Sequence, residues 1–166
     1  VFSLFCLAFS TDYFLDTTGS HIEPPSTDNE VIIQDSVFQS FHNTNYQKGG
    51  AIYVNNDLLS IQFSSLGFAD CTSTNESGGF YLNGYKIQLT NICGFMCEAI
   101  GHDYQLFKVD CNHLHDFNLF STLTIAYCGM SNRGNSAFGI CGESQYKIVN
   151  LNSSYNFNYV NDKSFG

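Results

Sequence analysis

Positive charge is scarce in this chain. Six lysines and arginines stand against fifteen acidic residues among 166, a formal net charge of -9. Such a surface repels phosphate backbones, which excludes nucleic-acid binding, and it has no material for a polybasic membrane patch. Tryptophan is absent, and methionine and proline occur twice each. Leu, Ala, Glu and Lys, the usual residues of surface helices, are thin, so helices are not favoured. Charged residues make up only 13%, yet 43% of the chain is hydrophobic and 16% aromatic, which excludes intrinsic disorder. No apolar run approaches the roughly 20 residues needed to span a bilayer.

Polar turn formers are abundant instead: 17 Asn, 18 Ser and 14 Gly. With the length suited to one domain, this composition points to many short strands joined by Asn, Ser and Gly turns. Residues 1–10 (VFSLFCLAFS) have the length of a signal-peptide h-region, with Ala8 and Ser10 spaced as at a cleavage site. They are expected to be a signal-peptide remnant, the alternative being a buried first strand. Residues 11–30 hold Pro24 and Pro25 and read as an irregular cap or linker. Residues 31–166 are then the folded domain. Seven cysteines occur, at 6, 71, 93, 97, 111, 128 and 141. Loss of Cys6 with a signal peptide leaves an even number, which suits an oxidising compartment. Asn75 and Asn152 begin glycosylation sequons, meaningful in a secreted chain. The expected location is therefore secreted or cell-surface.

From Val31 onward no amphipathic-helix spacing is sustained, and short alternating segments bounded by Gly, Asn, Ser or Asp recur. Gly49-Gly50-Ala51-Ile52-Tyr53 aligns with Gly78-Gly79-Phe80-Tyr81. The segment from Ile61 to Cys71 matches that from Ile87 to Cys97, and weaker copies run through Leu123 to Cys128 and Ile148 to Ser154. Spacings of 26 to 31 residues indicate a solenoid. They are too short for a four-stranded propeller blade and lack the frame of a leucine-rich repeat. Three short strands per repeat with polar corners predict an all-β fold, a parallel β-helix of about five coils, Ile and Leu inward and Asn and Ser at the corners. The alternative is an antiparallel sandwich or jelly roll.

Phe41-His42-Asn43 followed by Gly49-Gly50-Ala51-Ile52-Tyr53 resembles the FxxN and GGAI motifs of polymorphic outer membrane protein repeats, with FxN in place of FxxN. The later Gly-Gly-aromatic-Tyr and Ile-x-Leu-x-x-Ile-Cys-Gly pattern is similar to the repeats of trichomonad-like protist surface proteins. The resemblance covers about residues 31 to 155. It implies a right-handed parallel β-helix exposed on a cell surface and acting in adhesion, with an extracellular protein or glycan as partner. No autotransporter barrel accompanies the repeats, so membrane attachment is not carried over from the resemblance.

Cys71, Cys97 and Cys128 fall at equivalent repeat positions. They form either one disulfide or an inward ladder of reduced thiols, the ladder being favoured because three stacked cysteines cannot all pair. Gly49, Gly50, Gly78 and Gly79 read as corner residues. No Lys-Ser/Thr follows them as in a phosphate-binding loop. Parallel β-helices also house pectin-processing enzymes, but this chain has a single arginine, Arg133, and lacks Asp-Asp, Gly-His-Gly and Arg-Ile-Lys segments. Asp103, Asp110 and Asp116 fall in one coil without a spacing that makes them converge as a carboxylate pair. Cys111, His113 and His115 alternate, so a strand would put them on one face as weak candidates for a metal; a worn, solvated coil explains the same pattern. No catalytic residues and no cofactor are assigned. The expected function is a non-catalytic adhesion module, set against a degenerate polysaccharide-active enzyme and a structural spacer.

Overall fold

The computed structural model of the chain describes residues 12–15, 30–44, 48–101, 104–112, 117–129 and 136–156, with the backbone alone for 12–15. The described residues form thirteen strands and no helix. The first coil comprises β2 (Glu30–Gln39), β3 (His42–Asn43) and β4 (Ile52–Asn55), the second β5 (Ser60–Ala69), β6 (Thr72–Ser73) and β7 (Phe80–Asn83). The third comprises β8 (Lys86–Phe95), β9 (Glu98–Ala99) and β10 (Phe107–Asp110). The fourth contains β11 (Phe117–Ala126) and β12 (Phe138–Cys141), and β13 (Gln145–Ser154) opens a fifth. β1 (Asp12–Leu15), inside the stretch expected to be an irregular cap, pairs with β2.

Every pairing is parallel and joins equivalent strands of successive coils, giving sheets ordered β1-β2-β5-β8-β11-β13, β12-β10-β7-β4 and β3-β6-β9. The protein is a right-handed parallel β-helix of about four turns. Tyr53 and Tyr81 are register partners with ring centroids 5.5 Å apart, as the repeat alignment requires. Ile61 likewise faces Ile87, and Leu66 faces Ile92.

The coil closes because its corners adopt a left-handed backbone. All twelve non-glycine residues with positive φ among the described residues fall into three vertical ladders. Asp35, Ser65, Asn91, Thr122 and Asn150 bend each long strand at its middle. Ser40, Asp70, Met96, Tyr127 and Tyr155 turn the chain at its end. Gly49, Ser77 and Tyr104 form the third ladder. A left-handed conformation costs a non-glycine residue roughly 1–2 kcal/mol. Asn, Asp and Ser tolerate it through local hydrogen bonding, but Met96, Tyr104, Thr122, Tyr127 and Tyr155 do not fit that pattern, so the corners are less uniformly polar than the sequence predicts.

Inside the coil, like sits on like. Phe80, Phe107 and Phe138 stack with centroids 4.9 and 5.2 Å apart, and Phe38 stacks on Phe68 at 5.1 Å. Aromatic stacking thus carries much of a core expected to rest on Ile and Leu. The paired motif residues explain themselves locally. Phe41 is buried at the position that Cys71 and Cys97 occupy one and two coils later. The buried Asn43 side chain donates to the Gly49 carbonyl at 3.1 Å.

Gly50 and Gly78 lie where backbones close in. A Cβ on Gly50 would overlap the Gly78 carbonyl oxygen, and one on Gly78 would overlap the Glu98 amide. By contrast, a Cβ on Gly67 would meet only Val37 side-chain carbons, the nearest at 3.4 Å. Gly50→Ala is therefore expected to destabilise the fold by about 3 kcal/mol or more, and Gly67→Ala by less than about 1 kcal/mol. Chemical denaturation of both variants checks this; equal effects would contradict the packing described.

Candidate functional site

Three features of the solenoid carry chemistry. The first is the face of β4, β7 and β10. Tyr81 donates its hydroxyl hydrogen bond to Asp110 Oδ2 at 2.6 Å. Lys48 and Lys108 each place Nζ 3.1 Å from Glu76 Oε2, and Lys108 also lies 3.7 Å from Asp110 Oδ2. Lys48 sits over the Tyr81 ring at 4.6 Å, and Lys108 over the Tyr104 ring at 5.4 Å. Burial, reinforced by the Asp110 carboxylate, pushes the Tyr81 hydroxyl well above the usual tyrosine value. Burial opposes the charge on Lys108, but Glu76 and Asp110 outweigh it and raise that pKa. Two ammonium groups and two carboxylates thus neutralise one another around a protonated tyrosine. The cluster locks neighbouring coils together.

The second feature is the corner at the end of the long strands. Its outward residues change character along the axis. Near the amino end they are Ser40 and Asp70, joined by a hydrogen bond of 3.3 Å. Toward the carboxyl end they become Met96, Tyr127 and Tyr155, with Phe95 beside them. Tyr127 and Tyr155 stack at 5.0 Å and 9°, and Phe95 meets Tyr127 edge-on at 5.6 Å. Met96 is 53% and Tyr155 72% exposed. Their main-chain position is fixed by coil-to-coil hydrogen bonds, from Met96 to Ala126 and from Tyr127 to Ser154. This aromatic edge was not singled out in the sequence. Its signal was available: Met96 and Tyr127 immediately precede the repeated cysteines Cys97 and Cys128.

The third feature is the thiol ladder inside that corner. Cys71, Cys97 and Cys128 are free and fully buried. Their thiols point to the carbonyls two residues back, Ala69, Phe95 and Ala126, at 3.4 to 3.6 Å. The adjacent Cys97 thiol, followed by burial, pushes the Cys71 pKa far up, and burial does the same for Cys97.

The residues singled out from the sequence are placed as follows. Cys111 is buried, with its sulfur 3.1 Å from the Tyr85 carbonyl oxygen and 3.1 Å from Ser144 Oγ. His113 and His115 lie outside the described residues, as do Asp103, Asp116, Arg133 and residues 1–11. Among the described residues no group of three or more His, Cys, Asp or Glu side chains is positioned to hold a metal ion. Asn75 is half-buried, and Ser77, the hydroxyl residue of its sequon, is fully buried. Asn152 is exposed on β13. Among the described residues no helix is long and apolar enough to cross a membrane. No family model, curated protein or solved structure matches the chain.

The thiol ladder sets a pH dependence. In the unfolded chain these thiols ionise near their ordinary value of 9.0, whereas the folded protein holds Cys71 and Cys97 protonated. Above that value the unfolded state binds fewer protons, so stability falls as pH rises, by up to about 1.4 kcal/mol per pH unit per thiol. Denaturation between pH 8.5 and 9.5 is expected to show this slope, reduced in a Cys71→Ala/Cys97→Ala double variant. An identical slope in both proteins would contradict it.

Proposed function

We propose that this β-helix is a non-catalytic recognition module of a secreted or cell-surface protein, binding an extracellular partner through the edge formed by Phe95, Met96, Tyr127 and Tyr155. The observation that carries the reading is that aromatic row on a strongly acidic chain, with Phe95, Met96 and Tyr155 exposed and Tyr127 half-buried among them. Exposed tyrosines give large contact area at little entropic cost and are enriched at interface hot spots. A solenoid needs no cleft to present such a row, since its side is a flat, rigid surface. The stacked Tyr127 and Tyr155 offer ring rims and hydroxyls, apolar and polar contact together, which suits a protein partner.

The competing enzyme reading required Asp110 to act with other carboxylates. Asp110 already accepts the Tyr81 hydrogen bond and lies beside Lys108, which favours a structural role for it. Extracellular placement rests on composition, the sequons and the resemblance to surface-protein repeats.

The test is binding of the recombinant domain to cells and to immobilised glycans, with polyuronide cleavage measured alongside. Saturable, protein-dependent binding without turnover is expected. Tyr127→Ala/Tyr155→Ala is expected to weaken it about tenfold or more while leaving the fold intact. Binding to glycans alone would replace the protein partner. Turnover abolished by Asp110→Asn would replace the module by an enzyme, and no binding at all would leave a structural spacer.

A further inference from the structure

The aromatic edge continues into a carboxylate that holds no cation. Along the corner that ends the long strands, Asp70, Met96, Tyr127 and Tyr155 follow one another, one per coil. The amides of Asp70, Met96 and Tyr127 tie them to the carbonyls of Phe95, Ala126 and Ser154 in the coil above. Asp70 is exposed, and its Oδ2 accepts a hydrogen bond from Ser40 Oγ at 3.3 Å. Among the described residues no ion pair reaches it. The four described lysines are engaged or distant. Lys48 and Lys108 are held by Glu76, while Lys86 and Lys147 stand near the opposite ends of β8 and β13.

At the other end of the row, Tyr127 covers one face of the Tyr155 ring, parallel within 9°. With Tyr155 72% exposed, its second face stands open. An open tyrosine face attracts a cation through the ring quadrupole, and the flat, weakly hydrated guanidinium of arginine suits it best. A carboxylate takes the same group by paired hydrogen bonds. The spacing narrows the partner further. Asp70 and Tyr155 are three coil steps apart, roughly 14 Å at about 4.8 Å per strand. An extended chain advances about 3.3 Å per residue and turns alternate side chains to one side, so residues four apart span about 13 Å and face the same way.

We propose, resting on the recognition role given to this edge, that its partner is an extended protein segment of the pattern Arg-x-apolar-x-Arg lying along the solenoid axis. One guanidinium pairs with the Asp70 carboxylate and the other covers the open face of Tyr155. The apolar side chain between them packs on Met96 and Tyr127. The net charge of -9 draws such a segment in and repels an acidic one.

Titration of the full chain with the peptide Gly-Arg-Ser-Leu-Ser-Arg-Gly, followed by amide chemical shifts, tests this. Saturable shifts are expected at Asp70, Met96, Tyr127 and Tyr155. Tyr155→Ala is expected to weaken binding about fivefold or more, and Asp70→Asn about threefold. Asp57→Asn and Glu143→Gln remove exposed carboxylates at the opposite ends of the long strands and are expected to leave binding unchanged. Lysine in place of both arginines is expected to weaken it. Equal losses from Asp57→Asn, Glu143→Gln and Asp70→Asn would reduce the attraction to overall charge and overturn the proposal, as would equal binding of the lysine peptide. A peptide that leaves the edge unmoved overturns it too. If cells then still bind the domain in a way that needs Tyr127 and Tyr155, the recognition reading stands and only its cationic partner falls.

Discussion

Vertical register between coils is the constraint on which everything else in this protein depends. Parallel pairing puts each residue about 4.8 Å above its counterpart in the previous coil. An inward position must therefore stay inward, and a left-handed corner must stay a corner, from one coil to the next. A one-residue slip would turn a strand's core side chains outward. Successive long strands nonetheless begin 30, 26, 31 and 28 residues apart, at Glu30, Ser60, Lys86, Phe117 and Gln145. The variation is absorbed in the loops before and after the third strand, where backbone length is free to change. The ladders themselves keep step.

That division explains where chemistry can be written. Core positions are filled by Phe, Ile, Leu and the free thiols, because any unsatisfied polar group there would be costly. Asn118 is one of several buried polar residues. It interrupts the aliphatic column above Ile87, and its side chain accepts the Ile87 amide at 2.7 Å and donates to the Gln145 carbonyl at 3.4 Å. The corners are different. Their backbone is dictated by neighbouring coils, and along the corner that ends the long strands the side chain is left to face outward with little packing duty. Ser40 and Asp70 give way to Met96, Tyr127 and Tyr155 along one such corner without any change of fold. The strain of a left-handed tyrosine is small beside the strand pairing that imposes it.

The architecture was legible because stacked coils repeat their requirements in sequence. The paired glycines, Tyr53 with Tyr81, and Ile61 to Cys71 with Ile87 to Cys97 each reflect one vertical ladder. The mid-strand bend was not legible. Asp35, Ser65, Asn91, Thr122 and Asn150 are all small and polar, but such residues recur throughout this chain and so do not mark where a strand bends. The aromatic edge escaped notice because Tyr127 and Tyr155 read as two more aromatics in an aromatic-rich chain until the fold placed one above the other. Nor did the spacing of Asp110 announce its contacts, a hydrogen bond accepted from Tyr81 one coil back and a charge contact with Lys108.

Cross-linking by paired cysteines reads the register without reference to function. Tyr53→Cys with Tyr81→Cys places two thiols on directly opposed residues, at a Cα separation within the roughly 4.4–6.8 Å a disulfide accepts. Tyr53→Cys with Asn83→Cys displaces one partner by two residues along the strand, beyond that reach. Under mild oxidation the first pair is expected to close rapidly in the folded protein and the second to remain open. A disulfide in the displaced pair, with none in the opposed pair, would contradict the stacked-coil register.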